Sequence, residues 1–210
     1  MTLQQDERPV DVRQKIIEEA TRLFGEHGYG ATSLANIADA VGIRKPSLLY
    51  HFPSKVELRR AVNRELVGHW KEELPRLLSG TSSGMDRFSS TIEALVNFFI
   101  EDTSRAKLAI REMLDDPQES RKIVQEDLRP WTKLMVDFIR MGQQTGVIKP
   151  EVDPESYIIQ VMMMVIGTVA LGGVASALIV NGDDSLEPKI RELVRIARDT
   201  LFVHPEQETR

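Results

Sequence analysis

Six side chains between residues 44 and 55 carry most of the chemistry this sequence offers: Arg44, Lys45, Ser47, Tyr50, His51 and Lys55. They are three cations, a hydroxyl, a phenol and an imidazole within twelve positions. Such groups neutralise phosphates and reach the edges of bases. They do not make a catalytic set. The four histidines, His27, His51, His69 and His204, show no metal-ligand spacing, and the chain has no cysteine, no phosphate-cradling glycine loop and no nucleophile elbow. The sequence therefore points away from an enzyme, and no metal or cofactor is expected.

These groups need a rod to present them. Thr32 and Ser33 are N-cap residues, and Leu34, Ile37, Ala38 and Val41 follow at helical spacing. Gly42 stands where a glycine can end that helix in the left-handed conformation. Ile43 plugs the turn, and Pro46 fits the first turn of a new helix that runs to His51 with Leu48 facing inward. Small Ala35 and Ala38 permit a close crossing. This is the pattern of a helix-turn-helix, whose second helix fits a DNA major groove; the alternative for such a pair alone is a protein-binding helical hairpin. Thr32 or Ser33 and Lys55 are expected at phosphates, with Pro46 near the backbone. Lys45, Ser47 and Tyr50 are expected at base edges, and Arg44 at either.

Ahead of this unit, Ile16, Ile17, Ala20, Leu23 and Phe24 form one apolar stripe of a bracing helix from about Val10, for which Gly28 is a natural stop. Behind it, Phe52 is the expected plug of a small core. Ser54 with Glu57 reads as a capping box that opens a long helix from Lys55 to about Leu78. The stretches LFGEHGYGATSLANIADAVGI and PSLLYHFPSKVEL, taken in order, resemble the N-terminal domain of the TetR family of transcriptional regulators. Members often carry a tyrosine where this chain has Leu49, which leaves that one backbone contact open. The resemblance implies an all-α protein. It would have an N-terminal three-helix DNA-binding domain over residues 1–65 and a helical effector-binding and dimerisation domain over 66–210, about nine helices in all.

Composition is that of an ordinary globular chain: 210 residues, 41% hydrophobic, 28% charged, net charge −5. A cysteine-free sequence with no apolar leader fits a reducing cytoplasm. Residues 1–65 hold ten Lys and Arg against nine Asp and Glu, and the remainder holds 17 against 23. DNA affinity must then come from local placement of cations, doubled by dimerisation, rather than from a broad basic face. Arg8 in the N-terminal arm is a further candidate for a groove contact.

The second domain reads as helices throughout. Asp115-Asp116-Pro117 marks a break and restart, Arg129-Pro130-Trp131 a break or kink, and Asp153-Pro154 the cap and first turn of the next helix. Tyr157 to Val180 contains no charge and is long enough to cross a bilayer. Acidic flanks (Glu151, Asp153 and Glu155 before, Asp183 and Asp184 after) lack the basic bias of a membrane span and favour a helix buried on several sides. The last helix, about Leu186 to Val203, is amphipathic, with Arg191, Arg195 and Arg198 outward. These two helices paired with their copies would form a four-helix homodimer interface, as the resemblance also implies.

The resemblance implies a cavity for a small effector in this domain. Candidate lining residues are Trp70, Phe99, Met113, Trp131, Met135, Phe138 and Met163, with Phe98, Met162 and Met164 beside them, although aromatics and methionines are as readily plain core. Glu112, Asp115 and Asp116 read as a solvated acidic face, with attraction of a cation as the alternative. The function expected is a DNA-binding regulator, by family habit a repressor. It would be released from a palindromic operator by an effector that the sequence does not name.

Overall fold

The computed structural model describes residues 11–79, 84–178 and 185–203, so Arg8 and residues 80–83 lie outside the described residues. The chain forms two compact units, Met1–Leu66 and Val67–Arg210.

The first unit contains α1 (Val12–Ala31), α2 (Leu34–Val41), α3 (Lys45–His51) and the start of α4 (Lys55–Ser79). Its core is Ile16, Ile17, Ala20, Phe24, Ile37, Ala38, Leu48, Phe52, Leu58 and Val62, all buried. This is the apolar stripe of α1 closed over by Ile37 and Ala38 of α2, Leu48 of α3, Phe52 just after it, and Leu58 and Val62 of α4. Fully burying a Leu, Ile or Phe side chain is worth about 1.5–3 kcal/mol, so this small set supplies most of the stabilisation of a unit of this size.

The regular helix of α1 is interrupted at Gly28, where a stop was expected. The chain takes φ 84°, ψ 158° at that residue and then makes one more helical turn to Ala31. The glycine is thus a kink, because its backbone conformation is open essentially to glycine alone. Asp11, Ser33 and Ser54 open α1, α2 and α4: each side-chain oxygen accepts a backbone N–H of the first turn.

The second unit is built from the rest of α4 with α5 (Gly84–Glu101), α6 (Thr103–Asp115), α7 (Pro117–Ile123), α8 (Arg129–Gln144), α9 (Pro154–Ala175) and α10 (Leu186–Leu201). Just before the break or kink expected at Arg129-Pro130-Trp131 the chain makes a π-helical turn, Val124–Leu128, which joins α7 to α8 as one continuous rod. Counting that rod once gives nine helical rods among the described residues. Asp116 is the break foreseen before Pro117: its carboxylate caps α7 by accepting from the Glu119 amide at 3.1 Å. Asp153 does the same for α9 at 2.8 Å to the Ser156 amide.

Helix α9 is long and apolar enough, by length and composition, to cross a membrane. Within this unit it is the central element, packed against α6 most extensively and also against α5, α8 and α10. Ile158, Val161, Val165, Ile166 and Val169 supply its buried side. A smaller core of Val136, Ile139, Ile148, Ile158, Leu201 and Phe202 closes the end of the unit. There Tyr157 donates its hydroxyl to the Ala197 carbonyl at 2.7 Å, and Lys149 donates to the Asp199 carbonyl at 2.8 Å. Burial pushes the Tyr157 phenol above the ordinary tyrosine range.

Candidate nucleic-acid interface

The α2–α3 turn follows from local chemistry. Gly42 sits at φ 77°, and its N–H reaches the Ala38 and Asp39 carbonyls. The Ile43 amide follows onto the Ala38 carbonyl at 2.9 Å, so the carbonyls at the end of α2 are satisfied and the chain reverses. Helix α3 then starts from Arg44 with Pro46 in its first turn. Leu48 is its fully buried anchor, and Phe52 closes the core beneath the Arg13 guanidinium, 5.1 Å from the ring centre.

Anchoring by Leu48 and Phe52 turns the other face of α3 outward. Arg44, Lys45, Pro46 and Ser47 are exposed, Tyr50 is 86% exposed, and His51 is half-buried with its ring edge-on to Tyr50. A tyrosine left that bare on a helix seven residues long has no packing role of its own. Among the described residues Arg44 and Lys45 have no ion-pair partner, whereas Arg60 is matched to Glu57 and Arg22 to Glu19 and Glu26. The free cations of this unit thus include the two at the start of α3. Leu49 is half-buried and offers no polar group.

The three remaining expected contacts differ from one another. Ser33 is exposed at the N-terminus of α2, where an anion would meet open backbone N–H groups. Its cap is reciprocal: the Ser33 amide donates to the Asn36 side-chain oxygen at 3.0 Å. Thr32 is buried, and its hydroxyl donates to the Gly28 carbonyl at 2.9 Å and the Leu23 carbonyl at 3.1 Å. A phosphate cannot reach that hydroxyl, so its role is to secure the kinked end of α1. Lys55 is half-buried, its ammonium donating to the Tyr29 carbonyl and lying 4.2 Å from the centre of the Tyr29 ring. Burial first, and the nearby Arg59 charge second, hold it below the ordinary lysine range. Tyr29, Asn36 and Arg59 are the participants that sequence reasoning did not single out. A capping pattern with Asn in place of Glu was the local signal for Asn36, and Tyr29 and Arg59 act through partners distant in sequence.

In the second unit the seven expected effector residues do not converge. Trp70 and Phe99 are buried in an aromatic cluster centred on Phe98, with ring centres 5.1 Å and 5.0 Å from it. His69 stacks on Phe98 at 4.4 Å, and the Arg105 guanidinium lies 4.6 Å from the centre of the same ring. Met135 packs instead on the small core at the other end of the unit, and Phe138 lies under Arg87, 5.5 Å away. Met113 and Trp131 are half-buried on α6 and α8, and Met163 is exposed on α9. A groove of about 440 Å³ between α6, α9 and α10 is lined by Thr103, Lys107, Val169, Gly172, Leu186 and Lys189 among others, and by none of the seven. Glu112 is buried on α6 and Asp116 is a helix cap, so the acidic stretch is not simply a solvated face. Among the described residues no three His, Asp or Glu side chains are grouped to hold a metal ion.

Comparison with known proteins agrees with this geometry. Residues 16–62 match the family model described as bacterial regulatory proteins, tetR family. The chain is 30% identical over 122 residues to the HTH-type transcriptional activator FasR of Mycolicibacterium smegmatis. That match covers 58% of this chain and only 54% of FasR, so it spans about half of that relative's length. It is 24% identical over 151 residues to the HTH-type transcriptional repressor KstR2 of the same organism, covering 70% of this chain and 72% of the repressor. Among solved structures, a transcriptional regulator from Saccharomonospora viridis in complex with choline shares the fold, with a TM-score of 0.69 at 20% identity over 91% of this chain and 98% of that one. Residues 16–62 thus carry the N-terminal domain of the bacterial tetR family of regulatory proteins, and the chain as a whole is similar to HTH-type transcriptional regulators and shares their fold.

Proposed function

We propose that the protein is a homodimeric repressor that holds a palindromic operator and leaves it when a small molecule binds the second unit. The observation that carries the DNA half is the bare outer face of α3, with Arg44, Lys45, Ser47 and Tyr50 standing clear on a helix fixed from below by Leu48 and Phe52. Lys45, Ser47 and Tyr50 read base edges in the major groove. Arg44 meets guanine or phosphate, and His51 and Ser33 meet the backbone.

Dimerisation is supported by α9. Ile159, Met163, Leu171 and Val174 are exposed at helical spacing along one side of it, Leu178 is exposed in the 3-10 turn that follows, and Ile196 is exposed on α10. A stripe of that length on water favours a partner of the same kind, and a twofold pair of α9 and α10 would present two recognition helices to two half-sites.

The effector half rests on the aromatic cluster of Trp70, Phe98 and Phe99, since Trp70 lies on α4, the helix that both units share. A ligand that moves Trp70 biases α4 and with it the separation of the recognition helices. The relatives include both a repressor and an activator, and repression is proposed because it needs nothing beyond loss of the operator. A soluble cytoplasmic location follows from DNA as partner.

Linkage gives the test. An effector that releases DNA must bind the operator complex more weakly, by the same factor by which it weakens operator binding. Isothermal titration of the effector into free and operator-bound protein should show that equality. Equal affinity for both forms would overturn release as the mechanism while leaving DNA binding intact.

A further inference from the structure

We infer that Lys55 is a positioning residue for the recognition helix, acting as a cap supplied by α4 to the C-terminal end of α1, and is not itself a phosphate ligand. This rests on α3 being the DNA-reading element.

The last carbonyls of a helix have no partner within it and carry its negative end. Helix α1 has no basic residue in its own last turn to meet them. Two side chains from outside do so. Thr32 Oγ1 donates to the Gly28 carbonyl, and Lys55 Nζ donates to the Tyr29 carbonyl with the Gly30 carbonyl 3.5 Å away. The Tyr29 ring receives the same ammonium on its face, packs on Phe24 with centres 5.4 Å apart, and lies 4.5 Å from the Arg59 guanidinium. A lysine at the first position of α4 sits at the wrong end of its own helix dipole. Its favourable partner is the opposite end of α1.

The consequence is geometric. Lys55 and Tyr29 are 26 residues apart, and α2 and α3 are the segment between them. Only Phe52, Pro53 and Ser54 separate α3 from α4. Tying the first residue of α4 to the end of α1 therefore closes the loop that holds the recognition helix. A side chain whose ammonium is spent on a carbonyl and a ring is not extended toward a phosphate.

The test uses the full-length protein with Lys55→Met, Lys55→Arg and Tyr29→Leu. Three quantities are read: the salt slope of binding to a random-sequence duplex, the affinity ratio between a duplex selected with the wild-type protein and the random one, and the thermal midpoint without DNA. The inference expects Lys55→Met to leave the salt slope unchanged, lower the affinity ratio about tenfold and lower the midpoint by about 3 °C. Lys55→Arg should keep all three at their wild-type values, and Tyr29→Leu should lower the ratio without touching the slope. A salt slope reduced by about 0.9 in Lys55→Met would make Lys55 a phosphate ligand and overturn the inference. A lower midpoint with an unchanged ratio would leave only a structural bond and overturn it as well. If the wild-type protein selects no duplex, the DNA-reading account fails. The midpoint of Lys55→Met then still decides the cap, and no change there removes it.

Discussion

Two glycines only two residues apart should respond to alanine with opposite signs. Gly28 holds φ 84°, ψ 158° inside α1, buried, while Gly30 is helical and meets no atom within 4 Å of an added Cβ. An alanine at Gly28 must either adopt a backbone region that alanine avoids, at about 1–3 kcal/mol, or straighten the helix. Straightening would move the Gly28 carbonyl away from the Thr32 hydroxyl and the Tyr29 carbonyl away from Lys55. Gly28→Ala should therefore destabilise the first unit by at least the strain term, a shift of roughly 4–8 °C per kcal/mol for a domain of this size. Gly30→Ala should stabilise it by about 0.5–1 kcal/mol, because the helix already exists there and the unfolded chain loses freedom. Hydrogen exchange read on peptides of α1 to α3 reports this unit without interference from the second. Equal protection of Gly28→Ala and wild type, or a larger loss in Gly30→Ala than in Gly28→Ala, would refute the kink as the organising feature of the α1 end.

Further changes separate binding from support. Thr32→Val should cost about 1 kcal/mol in the first unit through its two lost bonds and leave the salt slope of DNA binding unchanged; a flatter slope would show that the hydroxyl does reach a phosphate. Tyr157→Phe should cost the second unit about 1 kcal/mol in chemical denaturation at neutral pH. The phenol is raised in the fold, so its contribution is complete below the ordinary tyrosine value of 10.0 and declines as pH rises past it. The alkaline fall in stability should accordingly be shallower in Tyr157→Phe, and an unchanged alkaline limb would contradict that assignment. Ile159→Glu, on the exposed stripe of α9, should shift sedimentation from dimer to monomer at micromolar concentration; a persistent dimer would place the interface elsewhere.

The first unit was largely legible because its signals are local. A cap, a glycine stop and an anchor residue such as Leu48 each act within four or five positions, and those spacings are written in the sequence. Thr32 escaped because its acceptors depend on the kink at Gly28 and on Leu23, nine residues back. Lys55 escaped because its partner is 26 residues away and belongs to another helix. Periodicity also located most helices of the second unit, but it showed neither the π-helical turn at Val124–Leu128, where one extra residue per turn stands just before the expected break or kink, nor the change from α9 to a 3-10 turn at Ser176. The effector residues were not legible as a set. A tryptophan in a cavity wall and one in a core have the same spacing, and a helix apolar on every side, as α9 is, gives no sign that Met163 faces outward while Val165 faces in.

The central claim, that the outer face of α3 reads DNA sequence, is tested most directly by selecting duplexes from a random pool with the wild-type protein and repeating the selection with Lys45→Ala. The account predicts that the wild type enriches a palindromic site, bound far more tightly than random duplex, and that Lys45→Ala changes the preferred base at symmetric positions in both half-sites. Enrichment of the same site with the same preferences by both proteins would contradict it, as would no enrichment by the wild type.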